Sequence, residues 1–194
     1  TKLGKRMLLA FAQAQAFEGL VISRRQACWE VEGLWSSDTP LFAGVPLGDG
    51  ETVLPVAQPY EEVQQDFLAM GFSLERHPLE LARTWLDKKR VTRIVDLADF
   101  DAGDRVRIAG IVVNRQRPGT AKGVTFMTLE DETGMANLVV WPKLFEKQRA
   151  LVRGQTLIMV QGRLQRESDA ASILAEHFET LPLGAIKSKS RDFR

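Results

Sequence analysis

The chain has 194 residues, 44% of them hydrophobic, and its 26 Lys and Arg nearly balance its 25 Asp and Glu. That length fits one or two domains, and a net charge near zero confines any electrostatic role to local clusters. A single cysteine, Cys28, excludes an internal disulfide and a cysteine zinc cluster. No apolar run approaches the ~18 residues of a membrane span and no signal peptide is visible, so a cytoplasmic protein with no membrane contact is expected. The sequence enters helical pattern directly from Thr1 and reads as a fragment of a longer chain.

Residues 1–35 read as two helices. Met7, Leu8, Ala10, Phe11, Ala14 and Phe17 recur at helical spacing, and Gly19 is the expected stop. Ser23 caps a second helix carrying Ala27, Cys28, Val31 and Leu34. The pattern around Cys28 marks a buried thiol. The pair fits the end of a helix-hairpin-helix element or an ordinary helical pair, with its apolar face partly exposed in either case. Residues 36–59 form a linker punctuated by Pro40, Gly44, Pro46, Gly48, Gly50 and Pro55. Within it, the run from Ser37 to Phe42 looks like a degenerate sliding-clamp-binding peptide that lacks its leading Gln. Leu41 and Phe42 would fill a clamp pocket, or pack on a neighbouring domain.

Residues 60–100 read as a helical segment beside the next domain. Val63, Phe67, Leu68 and Met70 form one face before Gly71 stops the first helix. Pro78 opens a second helix with Leu79, Leu81, Ala82, Trp85 and Leu86 apolar, and His77 is its capping residue. Lys88, Lys89, Arg90 and Arg93 fit a solvated helix end, with phosphate contact as the alternative.

From Asp104 the period becomes two. Residues 101–181 give a strand to Val113, a loop at 116–123, a strand at 124–130, a turn at 131–134, a strand at 135–141, a short helix opened by Pro142, and strands at 156–165 and 171–178. Five strands with a helix between strands three and four are the order of an OB-fold β-barrel. The fold class is therefore α+β: helical segments followed by the barrel. Residues 182–194 form a basic tail with Lys187, Lys189, Arg191 and Arg194.

Alternation sorts the hairpin of strands two and three into two faces. Met127, Leu129, Leu138 and Val140 suit the core, which leaves Phe126, Thr128, Asn137, Val139 and Trp141 outward together. Exposed rings beside hydrogen-bonding side chains suit single-stranded nucleic acid, whose bases stack while Arg and Lys follow the phosphates. No acid stands between Asp104 and Glu130, yet Arg105, Arg107, Arg115, Arg117 and Lys122 do. The candidate nucleic-acid site is Arg115, Arg117, Lys122, Phe126, Thr128, Asn137 and Trp141, with Arg163 and Arg166 near the end of strand four. In the competing arrangement Phe126 and Trp141 pack under the preceding helices. Asp131 and Gly134 are assigned to the turn alone. No nucleophile–base pair, phosphate loop or convergent carboxylate set appears, so neither a catalytic residue nor a metal ligand is assigned.

The run from Arg115 to Arg149, RQRPGTAKGVTFMTLEDETGMANLVVWPKLFEKQR, resembles the C-terminal OB domain of bacterial C-family DNA polymerases, most closely the error-prone branch. GFSLERHPLELAR, AFEGLVISRRQACWEV, the linker ending in Pro-Leu-Phe and the closing Ser190 to Phe193 match the same family, so the resemblance spans nearly the whole chain. It implies a DNA-directed DNA polymerase of the damage-induced mutasome, active in translesion synthesis, with two magnesium ions on carboxylates outside this segment. No cofactor is implied for the segment itself. The implied partners are single-stranded template DNA, other mutasome proteins including an inactive Y-family-like polymerase, and a sliding clamp reached mainly through that partner. The resemblance also leaves open a docking platform for those partners.

Overall fold

The computed structural model describes residues 3–21, 23–33, 52–167, 170–181 and 191–193. They form two compact units, residues 1–72 and 73–194. The boundary falls inside the stretch expected as one helical segment, so its first helix belongs to the first unit and its second to the barrel unit. The clamp-like residues Leu41 and Phe42 lie outside the described residues, as do Lys187, Lys189 and Arg194 of the tail.

The first unit holds α1 (Lys5–Gln13), α2 (Arg24–Gly33) and α3 (Pro59–Ala69). α1 ends at Gln13, six residues before the expected stop, because Gln15 already takes a positive φ of 57°. Gly19, at φ 82°, serves a second turn after it. The Ser23 hydroxyl accepts from Gln26 N at 3.2 Å and caps α2 as expected. Gly71, at φ 86°, terminates α3. A small apolar cluster of Ala12, Ala27 and Val31 joins α1 to α2. The buried Arg24 guanidinium ties α2 to α3 through Asp66, and its Nε lies 3.3 Å from Glu62. Cys28 is half-buried, and burial pushes its thiol pKa up. Met7, Phe11, Trp29 and Leu68 remain exposed, so the expected partly open apolar face is present.

The second unit opens with α4 (Pro78–Lys88) and continues into β1 (Arg105–Gln116), β2 (Thr125–Asp131), β3 (Gly134–Val140), α5 (Pro142–Lys147), α6 (Arg149–Gly154), β4 (Leu157–Glu167), β5 (Ala170–Thr180) and β6 (Arg191–Phe193). Strand limits differ from the sequence expectation by one to three residues, except that the tail adds a sixth strand, parallel to β1 at Asn114–Gln116. The barrel closes because β1 serves two partners: Arg105–Ile111 pairs with β4 and Ile111–Gln116 with β2. A bulge between Val112 and Asn114 lets the strand bend from one to the other. The parallel pair β3–β5 completes the ring. Gly110 sits at the bend, where an added Cβ would lie 2.8 Å from the Leu129 Cβ and 2.9 Å from the Glu130 carbonyl.

Alternate residues of every barrel strand fill the core, among them Ile108, Val112, Met127, Leu129, Leu138, Val140, Ile158, Leu164, Ile173 and Phe178. Each such side chain contributes ~1.5–3 kcal/mol when removed from water. Phe145 of α5 and Val152 of α6 join the same core. Gln148 pins both helices to β5: its amide donates to the Phe178 carbonyl at 2.8 Å and accepts from Phe178 N at 2.9 Å.

Candidate nucleic-acid interface

The hairpin register fixes what shares a face. Thr125 pairs with Val140, Met127 with Leu138, and Leu129 with Ala136; all six are buried. Between them Phe126 pairs with Val139, Thr128 with Asn137, and Glu130 with Met135, all turned outward. Phe126 is 42% exposed and Trp141 55% exposed. Within this unit α4 therefore leaves both rings open, contrary to the arrangement in which it covers them. Thr128 and Asn137 sit within hydrogen-bond distance of each other, Oγ1 to Oδ1 at 3.2 Å, and present polar atoms on the turn side of Phe126.

β1 widens this surface. Gln116 pairs with Phe126 and Asn114 with Thr128, so two further amide side chains flank the row. Sequence reasoning missed both. Strand one was expected to end at Val113, so they fell in or beside the loop. The signal that could have found them is the alternation of Asn114 out, Arg115 in and Gln116 out, which resumes out of phase with Val112 once the bulge is allowed for.

The loop after β1 folds back over α5. A 3-10 turn at Gly119–Ala121 leads into Lys122 and Gly123, both with positive φ, 49° and 84°. Gly123 suits its φ of 84°, which residues with a side chain rarely adopt, and its Cα faces Pro142 and the Arg117 guanidinium, 3.4 and 3.3 Å from where a Cβ would stand. Arg117 is exposed, and its guanidinium lies 4.8 Å from the centre of the Phe145 ring, a cation–π contact that orients it beside the loop. Lys122 is exposed at the loop's crest.

The remaining expected arginines have other employment. Arg115 is buried, opposite Met127 on the core side, with Nε donating to the Val152 carbonyl at 2.7 Å and a terminal nitrogen donating to the Gln155 carbonyl. It satisfies carbonyls that the end of α6 leaves unpaired, and is removed from the outward face. Arg166 donates to the carbonyls of Leu97, Ala98 and Phe100 at 3.0–3.1 Å and closes the 3-10 turn at Val95–Asp99. Arg163 is exposed but paired with Glu176 at 2.9 Å, and it also donates to the Gly103 carbonyl. Arg107 makes a two-pronged pair with Glu179. The face that the structure brings together is thus Phe126, Thr128, Asn137 and Trp141 with Asn114, Gln116, Arg117 and Lys122.

Asp131 does far more than shape the turn. It is buried and accepts from Ile94 N at 2.8 Å, Thr133 N at 2.7 Å and Gly134 N at 3.1 Å. Arg83 of α4 reaches both neighbouring acids: Glu132 through two contacts at 2.6 and 2.7 Å, and Asp131 at 3.7 Å. These bonds anchor α4 and the following turn to the far end of the hairpin, away from the rings. Among the described residues no group of three His, Cys, Asp or Glu side chains is placed to hold a metal, and no helix is long and apolar enough to cross a membrane.

Residues 106–181 match the family described as OB-fold nucleic acid binding domain. Across nearly its full length, the chain is 44% identical over 193 residues to an error-prone DNA polymerase of Azoarcus sp., covering 98% of this chain and 18% of that protein. It is 40% identical over 194 residues to an error-prone DNA polymerase of Pseudomonas savastanoi, covering 99% and 19% respectively. Its relatives are error-prone DNA polymerases. The chain spans about a fifth of the length of those curated relatives. Among solved structures, asparaginyl-tRNA synthetase from Pyrococcus horikoshii aligns at 29% identity over 40% of this chain and 20% of that one, with a TM-score of 0.33. Residues 106–181 thus carry an OB-fold that matches the nucleic acid binding family, and the chain as a whole is similar to one part of these error-prone DNA polymerases.

Proposed function

We propose that this segment guides single-stranded template DNA in an error-prone DNA polymerase acting in damage-induced mutagenesis and translesion synthesis. The observation that carries the reading is Phe126, open on the outward face of β2 beside Trp141 and within a row of hydrogen-bonding side chains. Bases stack on Phe126 and Trp141; Thr128, Asn137 and the β1 amides meet base edges; Arg117 and Lys122 meet phosphates. Polymerisation itself belongs to magnesium-binding carboxylates elsewhere in the polymerase, and this segment positions the strand without a cofactor of its own. The setting is the cytoplasm.

The test is a fluorescence-anisotropy titration with oligo-dT at several salt concentrations. Affinity falls steeply with salt, and Phe126→Ala weakens it by ~1–3 kcal/mol. Arg117→Ala with Lys122→Ala lowers the salt slope by ~0.7 for each phosphate that is no longer neutralised. Binding that is undetectable at low ionic strength sinks the reading.

A second reading has its own observation. In the first unit a cleft of 690 Å³, lined by Leu9, Cys28, Trp29, Leu54 and Leu68 among others, stands beside exposed apolar side chains. Such a patch suits a protein partner: another mutasome protein such as the inactive Y-family-like polymerase, and through it the sliding clamp. Trp29→Ala abolishing a pull-down with those partners, while oligo-dT binding is unchanged, supports docking alongside DNA binding.

A further inference from the structure

The outward face of β3 does not end at its last residue. Trp141 is the N-cap of α5, so the open ring stands directly at the head of that helix. α5 and α6 turn their apolar side chains inward, Phe145 and Val152 being buried, and turn Lys143, Lys147, Arg149 and Arg153 outward. Lys143 and Lys147 are four residues apart on one helix, Arg149 and Arg153 four apart on the next, so each pair lies along one stripe. The helix pair carries one acid, Glu146. Among the described residues these four cations have no ion-pair or side-chain hydrogen-bond partner. Three cations on β1 and β4 differ: Arg105, Arg107 and Arg163 each face Glu176 or Glu179.

The basic loop joins this stripe. Gly123 packs on Pro142, and Arg117 lies over Phe145, which places Arg117 and Lys122 beside the first turn of α5. Six cations against one acid thus run from the loop along two helices, starting where the stacking row finishes. A surface that only needed solvation would not require its acids to be kept away while the opposite side of the barrel pairs nearly every arginine.

We propose that α5 and α6 form a phosphate track, Lys143, Lys147, Arg149 and Arg153, along which a nucleic-acid single strand continues after leaving the rings at Trp141. The inference rests on the single-strand reading above and extends it. The bound strand is longer than the β2–β3 face can hold, and the added length is read only through its backbone. Phosphate contacts of this kind raise affinity without sequence preference and release counterions.

A length series separates the track from the stacking face. The 194-residue chain is titrated with dT6 and dT20 over a range of salt, alongside the variants K143Q/K147Q and R149Q/R153Q and with thermal unfolding as the folding check. Both variants are expected to bind dT6 as the parent does. Each is expected to lose about tenfold on dT20 at low salt, with the salt slope reduced by ~0.7 for each cation that meets a phosphate. If the parent gains the same affinity from dT6 to dT20 as both variants do, the track is overturned while the stacking face stands. If neither oligonucleotide binds, both fall. Loss of a poly-glutamate peptide but not of dT20 in the variants overturns the track in favour of an acidic protein segment.

Discussion

At the residue scale, chemistry at two positions depends on partners beyond the residue itself. Asp131 is the plainer case. Its carboxylate is buried, accepts from backbone N–H groups of two segments, and faces Arg83. Asp131→Ala leaves those donors and part of the Arg83 charge without an acceptor, and is expected to cost ~3–5 kcal/mol in urea unfolding. Replacing Phe126 by Ala, in contrast, is expected to change stability little, since the ring is open to solvent. His77 gives a pH prediction. Its Nδ1 accepts from Leu79 N at 3.2 Å, so the cap needs the neutral ring. Burial lowers its pKa below 6.5 and outweighs the nearby carboxylates of Glu132 and Asp131, which act the other way. The unfolded chain therefore takes up the proton before the folded one. The cap's contribution is complete above about pH 6.5 and is lost as pH falls below it towards the lowered folded value. Asn at 77 keeps a cap but cannot titrate. The stability difference between the parent and His77→Asn should thus shift in favour of Asn between about pH 7.5 and pH 5, measured by urea midpoints; a constant difference refutes the capping account.

At the element scale, the strands pack against each other where glycine permits. Gly162 lies at the β4–β5 register shift, where an added Cβ would run into the Leu174 carbonyl and the Ile173 side chain. A carbonyl held in a sheet cannot step aside as a flexible side chain can. Gly162→Ala is expected to destabilise by ~1–3 kcal/mol, read as a lower thermal midpoint. Much of this architecture was legible. Period-two alternation at Val106–Val112 and Met127–Val140 marked the strands, and Pro142 marked the helix that follows β3. The limits of β1 were not legible, because a bulge breaks the alternation without breaking the strand. Nor was the early end of α1, since Gln15 accepts a left-handed backbone that sequence pattern assigns to glycine.

At the scale of the whole molecule, two units divide the chain between Phe72 and Ser73. Every residue of the candidate interface lies in the second. The fragment 73–194 is expected to unfold cooperatively and to keep the oligo-dT affinity of the full 194-residue chain, by circular dichroism and anisotropy. A drop of more than about tenfold would move part of the site into the first unit.

The sequence by itself determined which side chains share a face, because strand alternation is local geometry that neighbouring residues cannot evade. It therefore placed Phe126, Thr128, Asn137 and Trp141 together, and it carried the family likeness. Only the tertiary structure decided which cations remain available to a ligand. Arg115 meets carbonyls 37 to 40 residues away and Arg166 meets carbonyls 66 to 69 residues away. Those carbonyls need a donor only because the fold ends a helix or a turn beside them. An arginine's charge is written in the sequence; whether a backbone end has already claimed it depends on what the closed barrel brings alongside.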